Sequence, residues 1–177
     1  MSRHVVLLPG FNGAAEQPIL VELSERLEAA GFACTRLAPP RLKLDEQLSA
    51  HVAWLREATA ALPAPLVLVG RSFGGRLAIR LAAERALAAV VLLGFPIRPP
   101  GKRRVRDEEA LSALKTPTLI VQGTKDQLGP LQVLKPLVAA NPHLTLHEIA
   151  GAGHSFGAKA PAALDFAAGW LTSTLGT

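Results

Sequence analysis

Six short apolar runs, each separated from the next by a stretch of helical periodicity, recur along this chain: His4–Leu8, Ala33–Leu37, Leu66–Val69, Ala88–Leu93, Thr118–Gln122 and Leu144–Ile149. Most are continuously apolar rather than alternating, the pattern of strands covered on both faces. The stretches between them carry apolar residues at helical spacing. Leu20, Leu23 and Leu27 mark a first face, Leu48, Val52, Leu55 and Leu62 a second, and Leu77 and Leu81 a third. Leu134, Leu137 and Val138 mark a later one, and Leu164, Ala167, Ala168 and Leu171 the last, with Pro161 suited to its first turn. Strand–helix alternation of this kind demands right-handed crossovers. It predicts a three-layer α/β/α sandwich around a mostly parallel sheet of about six strands. The 177 residues, 49% of them hydrophobic, suit one domain spanning residues 1–177. No internal repeat or linker divides the chain, and the one long irregular stretch is read as Phe95 to Arg106.

Sheets of this type place ligands at the carboxyl ends of their strands, so the segments after the apolar runs are where chemistry is expected. One of them, Gly70-Arg71-Ser72-Phe73-Gly74, lies between an apolar run and a helical stretch. That placement makes it a nucleophile elbow, a strained turn that lifts the serine hydroxyl clear of the sheet. A Cβ at position 70 or 74 would crowd so tight a turn. A serine hydroxyl is a poor nucleophile at neutral pH and needs a base and a group to orient that base. Among the five histidines, only His154 lies in a glycine-rich loop after the last strand, Gly151-Ala152-Gly153-His154. It is therefore the candidate base for Ser72. Asp126, after the fifth run, is the candidate orienting acid in the order Ser72, Asp126, His154. Asp107 is the alternative acid, whereas Asp45 and Asp165 belong to helical stretches and are poorly placed.

The developing oxyanion needs backbone donors. The amide of Phe73 follows the nucleophile directly, and the second donor should come from Pro9-Gly10-Phe11-Asn12-Gly13, with Phe11 first and Asn12 next. Asn12, Phe95 and Phe156 are candidate substrate contacts; Phe11, Phe73, Phe95 and Phe156 would line an apolar wall or else fill the core. Arg71 either meets substrate or, the preferred reading, braces the elbow by pairing with a carboxylate.

Three stretches resemble the α/β-hydrolase superfamily: Gly70 to Arg76, Phe95 to Lys102 and Pro117 to Asp126. Within it the chain is similar to the small dienelactone-hydrolase-like branch, and there to predicted hydrolases of the KANL/Tex type. The resemblance implies a minimal α/β-hydrolase fold without a cap domain, beginning at what is the third strand of the full fold. It also implies an open site in which a few loops select the substrate. The usual His-Gly of the oxyanion loop is Pro9-Gly10 here.

Together these features predict a serine hydrolase cleaving a small ester or thioester through an acyl-enzyme; the same groups would serve acyl transfer. The alternative is a catalytically silent hydrolase fold acting as an interaction module through its basic, proline-rich 99–106 loop, where a protein partner would dock. No cofactor is needed, and no cysteine–histidine cluster suggests a metal. The net charge of +5 is concentrated in Lys102-Arg103-Arg104-Val105-Arg106, read as a solvated loop or as guidance for an acidic substrate or partner. No aromatic pattern accompanies it, which argues against nucleic acid. No apolar segment is long enough to span a bilayer. The run after Met1-Ser2-Arg3-His4 is too short for a signal peptide, so a cytoplasmic location is expected. Cys34, the single cysteine, is read as a small hydrophobe.

Overall fold

A computed structural model describes residues 3–41 and 48–176; Met1, Ser2 and Asp45 lie outside the described residues. Six strands, β1 (His4–Leu8), β2 (Ala33–Arg36), β3 (Val67–Arg71), β4 (Ala89–Leu93), β5 (Thr118–Gly123) and β6 (Leu144–Ile149), form one sheet in the order β2-β1-β3-β4-β5-β6. Every neighbouring pair is parallel. The helices are α1 (Pro18–Ala29), α2 (Leu48–Ala58), α3 (Phe73–Ala82), α4 (Val105–Ala113), α5 (Leu131–Ala140) and α6 (Ala160–Leu175).

Because strand side chains alternate between faces, each central strand feeds two cores. Val5, Leu7, Val67, Val69, Val91 and Val121 pack against Leu20, Leu23 and Leu27 of α1 and Leu164, Ala167 and Leu171 of α6. Val6, Leu8, Leu68, Val90, Leu92 and Ile120 face the other way, onto Leu55, Leu77, Leu81, Leu111 and Leu134 from α2 to α5. The result is the expected three-layer α/β-hydrolase arrangement, with no cap domain among the described residues. The edge strands β2 and β6 are only partly buried, which is why Leu144–Ile149 alternates where β1, β3 and β4 do not.

The largest departure from expectation is α4. The stretch read as irregular through Arg106 turns helical at Val105. Asp107 and Glu108 occupy its first turn, where they oppose the positive end of the helix dipole, and Leu111 is its buried anchor. The basic run masked this signal, because Arg103, Arg104 and Arg106 leave no apolar periodicity before Leu111. The strands bearing the site also run further than their apolar content suggests. β3 continues through Gly70 and Arg71, and β5 extends past Gln122 to Gly123.

Strand order sets the location of the site. The chain steps outward from β1 to β2, then returns to the opposite side of β1 for β3. Crevices open at such reversals. Leu8 is in register with Gly70, so the loop after β1 and the turn after β3 leave the sheet side by side.

Candidate active site

Ser72 sits between β3 and α3 at φ 49°, ψ −111°, a conformation that costs a non-glycine residue on the order of 1–3 kcal/mol. Its surroundings hold it there. Ser72 N–H donates to the Leu93 carbonyl at 3.0 Å, and Gly75 N–H to the Ser72 carbonyl at 2.9 Å. A Cβ on Gly70 would lie 2.3 Å from the Gly75 nitrogen, and one on Gly74 would lie 2.5 Å from the Leu8 carbonyl oxygen. The turn is tight because β1, β3 and α3 converge on it, and glycine is what lets them approach.

The loop after β6 carries His154 back across the sheet to Ser72. His154 Nε2 is 2.9 Å from Ser72 Oγ, and its Nδ1 is 2.8 Å from Asp126 Oδ2. Asp126 lies in the loop after β5 with its side chain fully buried, whereas the His154 side chain is 22% exposed. Leu128 N–H donates to Asp126 Oδ1 at 2.9 Å, and Gln122 Nε2 donates to Oδ2 at 2.7 Å. Ser72, His154 and Asp126 thus meet in one hydrogen-bonded chain, from three strand ends widely separated in sequence.

Asp107 is elsewhere. It is buried on α4 and receives Arg76 Nε at 2.6 Å and Arg80 Nη2 at 2.7 Å, tying α4 to α3. The alternative assignment of Asp107 as the orienting acid is corrected by this placement: its carboxylate is committed to two guanidinium groups.

Arg71 also differs from expectation. Its partners are not carboxylates: Nη1 is 3.1 Å from His154 Nε2, Nη2 donates to the His154 carbonyl at 2.8 Å, and Nη1 reaches the Leu93 carbonyl at 3.4 Å. A guanidinium has only donors. Nε2 must therefore present its lone pair, leaving the ring proton on Nδ1 facing Asp126, the tautomer in which the ring can accept the Ser72 proton. Burial pushes the Arg71 guanidinium below its ordinary value, and the charge of Asp126 acts in the opposite direction.

Gln122 is the residue that sequence reasoning passed over. From the end of β5 its amide donates to Asp126 and, at 3.0 Å, to the Gly129 carbonyl, while its Oε1 accepts the Phe95 N–H at 2.8 Å. It joins the loops after β4 and β5. The available signal was a polar side chain closing an otherwise apolar strand.

The first amide of a helix has no intrahelical acceptor, and Phe73 is the first residue of α3. The amides of Phe11 and Asn12 likewise meet no acceptor among the described residues, whereas Gly10 N–H is taken by Gln17 Oε1 at 3.2 Å. Phe11 is 49% exposed, and its ring meets Phe73 edge-on at 5.5 Å between centroids. The buried His51 of α2 packs edge-on against the same Phe73 ring at 5.2 Å. Phe95 and Phe156 do not join them. Both rings are buried, in the cores on opposite faces of the sheet, so the four phenylalanines form no common wall. Cys34 packs against the α1–α6 core. Burial, reinforced by Glu28 and opposed by Arg36, pushes its thiol up to about 12, far from a reactive thiolate.

No group of three or more metal-ligating side chains occurs among the described residues, and no helix among them is long and apolar enough to cross a membrane. The fold and the serine turn define an α/β hydrolase. The chain belongs to the alpha/beta hydrolase domain family, whose model matches residues 22–168, a span that contains Ser72, Asp126 and His154. Among solved structures it is similar to Est1E from Butyrivibrio proteoclasticus, with a TM-score of 0.82, 17% identity and coverage of 99% of this chain and 89% of that one. It is also similar to a monoacylglycerol lipase from Paleococcus ferrophilus, with TM-score 0.80, 16% identity and coverage of 97% and 94%. A dienelactone hydrolase from Anabaena variabilis ATCC 29413 matches with TM-score 0.75, 21% identity and coverage of 97% and 86%. At these identities the likeness is one of fold.

Proposed function

We propose that residues 1–177 act as one catalytic domain, a serine hydrolase that cleaves a small ester or thioester through an acyl-enzyme. The observation that carries this reading is the pair of hydrogen bonds, 2.9 Å and 2.8 Å, linking Ser72 to His154 and His154 to Asp126. In this mechanism Ser72 Oγ attacks the acyl carbon while His154 Nε2 takes its proton. Asp126 holds the ring by Nδ1–H and stabilises the imidazolium. The amides of Phe73 and Phe11 meet the oxyanion as it forms, with Asn12 N–H as the alternative second donor. Such donors contribute about 2.7–4 kcal/mol each. His154 then returns the proton to the leaving oxygen or sulfur. Water, activated by the same ring, releases the acid and restores Ser72.

Two structural relatives, a monoacylglycerol lipase and a dienelactone hydrolase, are consistent with ester chemistry. The alternative of a silent module with a free docking loop is less well supported. Arg98 and Arg103 share Glu108, and Arg104 donates to the Pro96 carbonyl at 2.7 Å, so much of the loop is held against the body of the protein.

The test is labelling of the purified protein by a fluorophosphonate, with Ser72→Ala and His154→Ala alongside. Labelling should disappear in the first variant and fall steeply in the second. Folded wild-type protein that fails to label with probes of small size would overturn the assignment.

A further inference from the structure

Three residues other than glycine hold a positive φ among the described residues: Asn12, Ser72 and Phe156. Asparagine tolerates that region, and Ser72 makes the nucleophile turn, but a bulky phenylalanine there is an outlier. Phe156 lies at φ 59°, ψ −28°, two residues beyond His154. Gly157 follows at φ 56°, so the chain takes two successive left-handed steps. At the second it uses glycine, which adopts that region freely; at the first it carries a ring instead. Strain of this kind persists only where the surroundings hold it, and it gathers at functional sites.

The ring supplies the hold. It is 3% exposed and belongs to the core that the sheet shares with α1 and α6. Ala152 enters the same core, and its carbonyl accepts Lys125 N–H at 2.9 Å. His154 therefore rides on a short span between two core anchors, one on either side in sequence. Phe156 N–H donates to the Gly153 carbonyl at 3.2 Å, closing a turn that contains His154 and Ser155. Lys159 N–H donates to the Phe156 carbonyl at 3.1 Å, and Lys159 Nζ donates to the Ala150 carbonyl, so the end of the loop is tied to its start. A negative φ at position 156 would turn the ring out of the core or His154 away from Ser72, because both hang from the same turn.

We infer that Phe156 is a positioning residue for His154: burial of its ring drives the left-handed turn that sets the imidazole between Ser72 and Asp126. Burying a phenylalanine outweighs the strain of one residue. The consequence for turnover rests on the reading of His154 as the catalytic base; the seating of the ring against Asp126 does not.

Three substitutions separate the ring from the backbone. Phe156→Leu keeps an apolar anchor, Phe156→Ala removes the anchor and keeps the strain, and Phe156→Gly removes both. Toward a small aryl ester, kcat of folded Phe156→Ala should fall by about 100-fold with little change in KM. Phe156→Gly, free of the strain, should be about tenfold more active than the alanine variant, and Phe156→Leu should stay near wild type. A ring that only fills the core predicts equal kcat for the folded alanine and glycine variants, or a greater loss in glycine. Either result overturns the inference, as does wild-type kcat in Phe156→Ala. A second readout needs no turnover. The His154 Nδ1–H, bonded to the buried Asp126, should give a far-downfield proton NMR resonance, identified by its loss from His154→Gln. It should persist in the leucine and glycine variants and broaden or vanish in folded Phe156→Ala; persistence in all three overturns the inference. Wild-type protein that fails to label with fluorophosphonate, while the variants show these NMR differences, would keep the positioning role and lose the hydrolase reading.

Discussion

Arg71 grips His154 at two points: Nη1 lies 3.1 Å from the ring Nε2, and Nη2 donates to the backbone carbonyl at 2.8 Å. Two effects oppose each other here. The carbonyl anchor sets the position of the loop that carries the ring. The donor beside Nε2 competes with the Ser72 hydroxyl, 2.9 Å away, for the lone pair of that nitrogen.

Positional control should dominate, because a misplacement of about 1 Å at a reacting group costs up to ~10²-fold. Arg71→Met is expected to lower kcat toward a small aryl ester by roughly 10- to 100-fold with little change in KM. Arg71→Lys should recover little, since lysine lacks the two-pronged geometry. A rise in KM with unchanged kcat would show instead that Arg71 contacts substrate.

Removal of Gln122 should be felt in stability as well as turnover. Gln122→Leu leaves the Phe95 N–H and the Gly129 carbonyl without their partner and takes a donor from Asp126. Each buried group left unsatisfied costs about 1–3 kcal/mol. Urea denaturation should show a lower midpoint with an unchanged slope, and fluorophosphonate labelling of the folded protein should slow.

The two buried aspartates should separate cleanly. Asp126→Asn keeps the shape of the side chain but upsets the tautomer of His154. It is expected to reduce turnover by up to about 10⁴-fold while the protein remains folded. Asp107→Ala removes the carboxylate that Arg76 and Arg80 of α3 share, with Arg76 only 7% exposed, and should cost about 3–5 kcal/mol of stability. Its folded fraction should still label at Ser72. Denaturation and labelling measured on both variants check the pair.

Glu108 supplies a pH dependence. Burial alone would raise its carboxyl; the hydrogen bonds and charges of Arg98 and Arg103 outweigh it and hold the group below the usual carboxylate range. A carboxyl lowered in the folded state contributes stability that is complete above its unfolded value, near about 4.3. That contribution is lost as pH falls through the folded value. Wild type should therefore exceed Glu108→Gln in stability at neutral pH, and the two should converge on acidification. Urea denaturation across acidic to neutral pH measures the difference.

Strands and helices were legible wherever burial imposes a period. β1 and β4 are buried on both faces and read as unbroken apolar runs, and α1 and α6 display their leucines at helical spacing. α4 was not legible, because ion pairs and one leucine anchor it rather than an apolar stripe. Ser72, Asp126 and His154 were readable as candidates because the turns around them carry local signals: flanking glycines, and a position directly after a strand. Arg71 and Gln122 were visible as polar residues at strand ends, but their partners were not, because those depend on how the loops after β4, β5 and β6 meet.

The chain alone determined the layer architecture and the strained serine turn. Both follow from local periodicity and from glycine's lack of a Cβ, properties that neighbours in sequence decide. Tertiary structure decided which aspartate faces His154 and where the phenylalanines point. Those outcomes depend on strand order and crossover packing, which bring distant charges together only once the sheet has formed.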